Sequence, residues 1–352
     1  MKIVEAWLQP YSLPLVRPWA GARETIGVRH GVLLALRADD GLIGYGDCAP
    51  LPSSGEARRS LVIGALRAIV GDLRGRSVAT AFAETGGGEF PEATWALETA
   101  LYDLRARALD IPLARLLNSR AGSAIKVNAA LGALDAGVGA RAQAALASGY
   151  STGKIKVGVG GVDVEIGLVH ELAAQTGGRL RLRLDANCAW SASDARRFLL
   201  GIRDLPVECV EEPLAEPTLG LLAQLQALAT CALAVDESLS VLGPDALFRA
   251  RAVQRLVLKP ARAGGVSATL RLADRARAAG MELVLTSVVD SAIGVVAAAH
   301  LAAALAAEQT HGLATLEWLR EDVAPRPPLA DGALSLPAGA GLGVAPHPNR
   351  AG

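Results

Sequence analysis

The spacing of hydrophobic positions changes along the chain, and the change divides it. Over the first 50 or so residues apolar positions alternate loosely, and Val4 to Leu13 and Gly31 to Arg37 read as strands. Asp39-Asp40-Gly41 makes a turn into Leu42 to Asp47, which predicts a hairpin. Trp19 to Thr25, polar and glycine-containing, reads as a loop. From Glu56 the period becomes helical. It is clearest from Pro91 to Leu117, where Trp95, Leu97, Ala100, Leu101, Leu104 and Ala108 recur at helical spacing. Pro91 suits a first helical turn, and Pro112 ends or breaks the run. Strands followed by helices predict an α+β unit over residues 1–120.

After Ala121 short β-branched runs alternate with amphipathic stretches. The runs are Ile125–Ala130, Lys154–Val157, Leu180–Leu184, Val207–Val210, Ala232–Val235, Leu256–Leu258 and Leu283–Leu285. Between them lie Val162–Thr176, Ser193–Arg203, Thr218–Ala229, Val266–Ala279 and Ser291–Ala306. A βα unit repeated about seven times favours a closed barrel over residues 121–320, with an open doubly wound sheet as the alternative. No GxGxxG follows any of these strands, so a dinucleotide fold gains nothing from motifs. Pro325, Pro327 and Pro328 lead into a tail over 321–352, whose alternating Ala333 to Leu336 predicts a hairpin returning to the N-terminal segment.

Composition narrows the function classes. The 352 residues are 51% apolar, enough for a large core, and 35 basic residues cancel 35 acidic ones. A net charge of zero gives no electrostatic footprint for nucleic acid or an anionic membrane. No apolar run reaches the roughly 18 residues of a membrane span, and Met1 to Glu5 lacks a signal-peptide layout. Cys48, Cys188, Cys209 and Cys231 show no CxxC spacing, so the expectation is a reduced, cytoplasmic protein.

Chemistry enters at the strand ends, where barrel enzymes carry it. Lys154 and Lys156 leave a strand on the same face. Alone they read as a solvated pair. One βα unit at a time then come Asp185, Glu211, Asp236 and Lys259, at intervals of 29, 26, 25 and 23 residues. Three carboxylates gathered at one mouth are unfavourable without a cation. Oxygen ligands suit a hard divalent ion, Mg²⁺ first, and no His or Cys sits at these positions to favour zinc. Arg183, Asp185 and Asn187 share a face; parity leaves open Glu211 against Glu212 and Asp236 against Glu237.

Lys-x-Lys, Asp-Ala-Asn, Glu-Glu-Pro, Asp-Glu-Ser and Val-Leu-Lys-Pro, in that order over Lys154 to Lys259, resemble the enolase superfamily in its muconate-lactonising branch. The resemblance implies an α/β fold: a modified (β/α)7β TIM-type barrel under an N-terminal α+β capping domain completed by the C-terminal tail. It implies Asp185, Glu211 and Asp236 as ligands of Mg²⁺, with Mn²⁺ as the alternative. Lys156 would be the base on one face of a small-molecule carboxylate substrate, and Lys259 the cation on the other. Within the branch, Arg181 to Asn187 with Trp190, Val257 to Pro260, and Thr286 to Gly294 resemble the o-succinylbenzoate synthase family, dehydratases of menaquinone synthesis. Val289-Asp290 departs from that family's serine- and glutamate-rich versions. N-acylamino acid racemases share nearly all these motifs, whereas the Asp-x-Asp of dipeptide epimerases is not visible.

The expected substrate contacts are Lys154, which would also tune Lys156, together with Arg183, Asn187 and Ser287. Arg23 and Arg29 flank a loop that could fold over the mouth and meet a distal carboxylate, against the plain reading of solvated loop arginines. Trp19 is a ring contact or a core anchor, Cys188 a bystander, and His300 a satisfied helix residue. Two other classes compete. A Schiff-base aldolase barrel would use one lysine and leave the acids unexplained; a non-catalytic ion-binding protein would not need the lysines.

Overall fold

The computed structural model describes residues 1–20, 25–51, 54–85 and 88–348. Strands β1 (Ile3–Ala20), β2 (Thr25–Ala38) and β3 (Ile43–Cys48) form an antiparallel sheet in that order. Pro10, Pro14 and Pro18 all fall on β1, an edge strand, where a missing N–H costs no ladder bond. Pairing runs on to Trp19↔Ile26 and Ala20↔Thr25, so these residues belong to strands rather than to the expected loop. The rest of that loop, with Arg23, lies outside the described residues.

Helices α1 (Gly55–Gly71), α2 (Val78–Glu84), α3 (Pro91–Ala108) and α4 (Leu113–Leu117) complete the cap. Pro91 opens α3, and Pro112 separates it from α4. Gly44 and Gly46 let α3 lie directly on β3, because a Cβ on either would collide with the carbonyls of Ala100 and Ala96. One face of α3 packs into a cap core with Ile3, Leu34, Leu36 and Leu66; Trp95, on another face, joins the barrel's core with Leu13, Leu15 and Leu33.

The barrel begins with β4 (Ala124–Val127) and β5 (Ala129–Ala133), two halves of one stretch broken at Asn128. Then follow α5 (Val138–Ala147), β6 (Thr152–Lys156), α6 (Val162–Thr176), β7 (Arg181–Asp185), α7 (Ala192–Gly201) and β8 (Val207–Glu211). After α8 (Leu219–Leu228) and β9 (Ala232–Val235) come two short helices that periodicity did not reveal, α9 (Ser238–Leu242) and α10 (Pro244–Ala250). The series ends with β10 (Arg255–Leu258), α11 (Pro260–Ala263), α12 (Val266–Ala278), β11 (Glu282–Leu285), α13 (Ala292–Leu305) and β12 (Thr310–His311). Strands β5 to β11 form a parallel sheet in sequence order. A bridge from Thr286 to Gly312 and parallel pairing of β12 with β4 close the ring. Helical crossovers after each of seven strands, and an eighth strand at the end, make the architecture (β/α)7β.

Helix α13 is apolar all round and buried from Ala292 to Ala304, because the barrel, α4 and the tail enclose it. His300 within it is satisfied: Nδ1 accepts from the Ala114 N–H at 3.1 Å, and Nε2 lies 3.3 Å from the Leu342 carbonyl. In the tail, β13 (Leu329–Ala330) and β14 (Ala333–Ser335) form the expected hairpin. It pairs with β4, the first barrel strand, rather than with the N-terminal sheet. Only the later stretch reaches the cap, where the Leu342 N–H donates to Asp103 at 2.7 Å and Arg107 donates to the Val344 carbonyl at 2.9 Å. Among the described residues, no helix is long and apolar enough to cross a membrane.

Candidate active site

Strand register sets the site. Lys156 is the Cα partner of Asp185, and Asp185 that of Glu211, so adjacent strands end level with one another. Lys154 Nζ lies 2.6 Å from Glu211 and 3.0 Å from Asp185. Lys156 Nζ lies 2.7 Å from both Asp185 and Asn187 Oδ1. Farther round the ring, Lys259 at the end of β10 pairs with Asp236. These groups, Glu211 apart, line a cavity of about 510 Å³ between the barrel mouth and the cap.

The alternation left open at the two acid pairs is resolved by the side chains. Glu211 faces the mouth. Glu212, at φ +46°, turns away, and its carboxylate accepts the N–H groups of Asp236 at 2.5 Å and Ser238 at 2.8 Å, and the Ser238 hydroxyl. Asp236 faces Lys259 within the cavity, while Glu237 sits at the rim, 3.7 Å from Arg262.

Electrostatics show which groups lack compensation. Burial works to lower the Lys154 pKa, but the charges of Asp185 and Glu211 prevail and raise it, so its ammonium persists. Burial pushes Asp185 up, yet Lys154 and Lys156 outweigh it and hold its carboxyl well below the usual range. Glu211 goes the other way: burial first and the charge of Asp185 second raise its pKa despite Lys154. Asp236 is raised too, by burial and then by Glu237, with Lys259 opposing. Asp185, Glu211 and Asp236 at successive strand ends are oxygen donors of the kind a hard divalent cation takes, and two of them are buried and short of positive charge. Among the described residues, the group whose donor atoms all lie within 4.8 Å of one another is a different one, Cys188, Glu212 and Glu237. That cluster is spent internally: Glu212 is saturated, and burial followed by the Glu212 charge pushes the Cys188 thiol up to about 12. Cys188 is a bystander.

Two expected substrate contacts do not reach the cavity. Arg183 shares a face with Asp185 but lies two residues deeper, where it pairs with Glu208 at 2.7 Å inside the barrel. Arg29 is buried, and its guanidinium donates to the carbonyls of Val289 at 3.1 Å, Pro50 at 2.5 Å and Ala49. Asn187 and Ser287 do line the cavity, Ser287 lying 2.7 Å from Thr315. Sequence reasoning missed Arg58, Arg262, Asn128 and Trp318, which also line it. Arg262 was findable one turn beyond Lys259. Arg58 comes from cap helix α1, and no spacing in the sequence points to it.

A barrel mouth with charged groups at the ends of five successive strands, covered by an α+β cap, defines a class, and the chain belongs to it. Residues 137–350 match the enolase C-terminal domain-like family and residues 4–118 the mandelate racemase / muconate lactonizing enzyme N-terminal domain, so this is an enzyme of the enolase superfamily, muconate-lactonising branch. L-Ala-D/L-Glu epimerase of Bacillus subtilis (strain 168) is 28% identical over 322 residues, covering 86% of this chain and 85% of the relative. Its substrate-liganded structure superposes with a TM-score of 0.88, at 26% identity, over 98% of this chain and 99% of that one. Chloromuconate cycloisomerase of Pseudomonas putida is 30% identical over 260 residues, covering 72% and 70% of the two chains. A dipeptide epimerase from Cytophaga hutchinsonii, solved with Mg and a dipeptide, shares the fold at a TM-score of 0.89 and 22% identity over 100% of this chain and 98% of that one. These relatives are epimerases and cycloisomerases; dehydration is not among their named activities.

Proposed function

We propose that the protein is a metal-dependent o-succinylbenzoate synthase that dehydrates a cyclohexadiene carboxylate in menaquinone synthesis. The observation that carries the chemistry is the placement of Lys156 and Lys259 on opposite walls of the carboxylate cluster. Asp185, Glu211 and Asp236 would hold the cation, Mg²⁺ by preference. When bound, it supplies positive charge to a substrate carboxylate as α-proton removal adds a second negative charge. Lys154, kept charged by its two acid neighbours, binds that carboxylate from the side. Lys156 takes the α-proton and returns it to the hydroxyl leaving from the same face, so one residue serves as base and then acid. Lys259 stays protonated and stabilises the developing charge from the other face, while Asn187 orients Lys156. The distal carboxylate would meet Arg262 and Arg58 at the cavity edge, Arg58 being paired with Glu92 at 3.1 Å.

The far wall supports a substrate without a free ammonium. Val288, Val289, Ala314, Thr315 and Trp318 bring no acidic side chain to it, and the lining acids outside the strand-end cluster are Glu92, paired with Arg58 at 3.1 Å, and Glu237, 3.6 Å from Lys259. A second reading, N-acylamino acid racemase, is favoured by the same two opposed lysines, which would act as alternating acid and base. A Mg²⁺-dependent assay on the cyclohexadiene precursor, N-acyl amino acids, dipeptides and muconate decides. Dehydration is expected; racemisation of N-acyl amino acids without dehydration would replace the first reading by the second.

A further inference from the structure

Arg29, which fails to reach the cavity, grips both of its apolar walls. Its Nε donates to Val289 in the turn after β11, and its terminal nitrogens donate to Ala49 and Pro50 in the segment after β3. Ala49 and Leu51 line the cavity from the cap, and Val288 and Val289 line it from the barrel. Val289 has φ +61° and is 3% exposed. A β-branched residue in the left-handed region is strained and persists only where its surroundings hold it. Asp47 fastens the same turn from the cap, accepting from the Ser291 N–H at 3.0 Å and hydroxyl at 2.8 Å and from Tyr11 at 2.7 Å.

We propose that Arg29 is a positioning residue for substrate specificity: it holds Val289 in its left-handed conformation and thereby sets the apolar wall that receives the body of the substrate. It takes no part in proton transfer. The consequence for catalysis rests on the α-proton chemistry proposed above; the structural claim stands apart from it. A lysine cannot reproduce the fork, because it offers one point of donation where Arg29 spans two segments.

Crystal structures of the wild type and Arg29→Lys test the claim whatever the reaction proves to be. Val289 is expected to leave positive φ in the variant and the 288–289 wall to shift; an unmoved Val289 overturns the proposal. With the substrate found by the assay above, Arg29→Lys should raise KM about tenfold while kcat for α-hydrogen exchange in D₂O stays within about twofold. A fall in kcat at constant KM overturns the proposal by placing Arg29 in the chemistry. Val289→Gly leaves the buried guanidinium intact and adopts positive φ without strain, so it serves if Arg29→Lys does not fold. It should keep the turn but lose the wall, again raising KM at held kcat; an unchanged KM sinks the idea.

Discussion

Two clusters of buried charge lie inside the same barrel, two to four residues apart along its strands. In the lower one Glu208 meets Arg183 and Arg255, each at 2.7 Å, and Arg255 also meets Glu282 at 2.6 Å. In the upper one Asp185, Glu211 and Asp236 meet three lysines. Asp185 in the upper cluster is held low by its two lysines, as Glu208 is in the lower one by its arginines, but Glu208 and Glu211 end on opposite sides of the usual range. Burial raises Glu208, but Arg183 and Arg255 more than offset it and its carboxyl ends below the usual range; Glu211 ends above it. Guanidinium groups close the lower cluster with fixed, two-point geometry. The upper one is left needing further positive charge. Charge balanced by guanidinium groups is architecture here, although the buried Glu208 Oε2 accepts no hydrogen bond, and charge short of balance is where a cation and an anionic substrate can act.

The sharpest way to break that contrast is to remove a lysine from the open cluster. Lys156→Ala should lower turnover by about 10³-fold, the scale of a lost general base, while thermal melting shows a folded protein. Arg183→Met should do the reverse. It leaves Glu208 short of a partner and should cost about 3–5 kcal/mol in urea unfolding, without changing how the melting temperature responds to added Mg²⁺. That response belongs to the upper cluster: at a hundredfold excess over Kd, Mg²⁺ should stabilise the wild type by about 2.7 kcal/mol, and Asp236→Asn should abolish the increment. An equal increment in Asp236→Asn would move the ion elsewhere. The smallest effect is one of pH. Glu208 is depressed on folding, so its contribution is present above its ordinary value of 4.5 and lost as pH falls through the lower folded value. The stability gap between wild type and Glu208→Gln near neutral pH should close as pH drops below 4.5.

The sequence exposed the barrel because each strand end carried its charge one βα unit after the last. Alternation placed Lys154, Lys156, Asp185 and Asn187 on inward faces, and the structure puts all four at the mouth. It could not report depth. Arg183 and Asp185 share a parity, yet one closes a salt-bridge network and the other stands in the cavity. Nor could it resolve Glu211 from Glu212, since the turn at Glu212 depends on donors supplied by Asp236 and Ser238 just after the next strand. Arg29 was misjudged for a related reason. Its decisive partner is the carbonyl of Val289, 260 positions away, and a backbone acceptor leaves no mark in side-chain chemistry.

Glu212 has one more consequence. By tying the backbone at Asp236 and Ser238 to the end of β8, its carboxylate couples two of the three strands that present acids. The placement of Asp236 relative to the end of β8 is therefore fixed by the folded chain itself. If Asp185, Glu211 and Asp236 hold a cation as proposed, a spacing set in this way would discriminate by ionic radius. A larger ion such as Ca²⁺ would have to spread two strands that a buried carboxylate holds together.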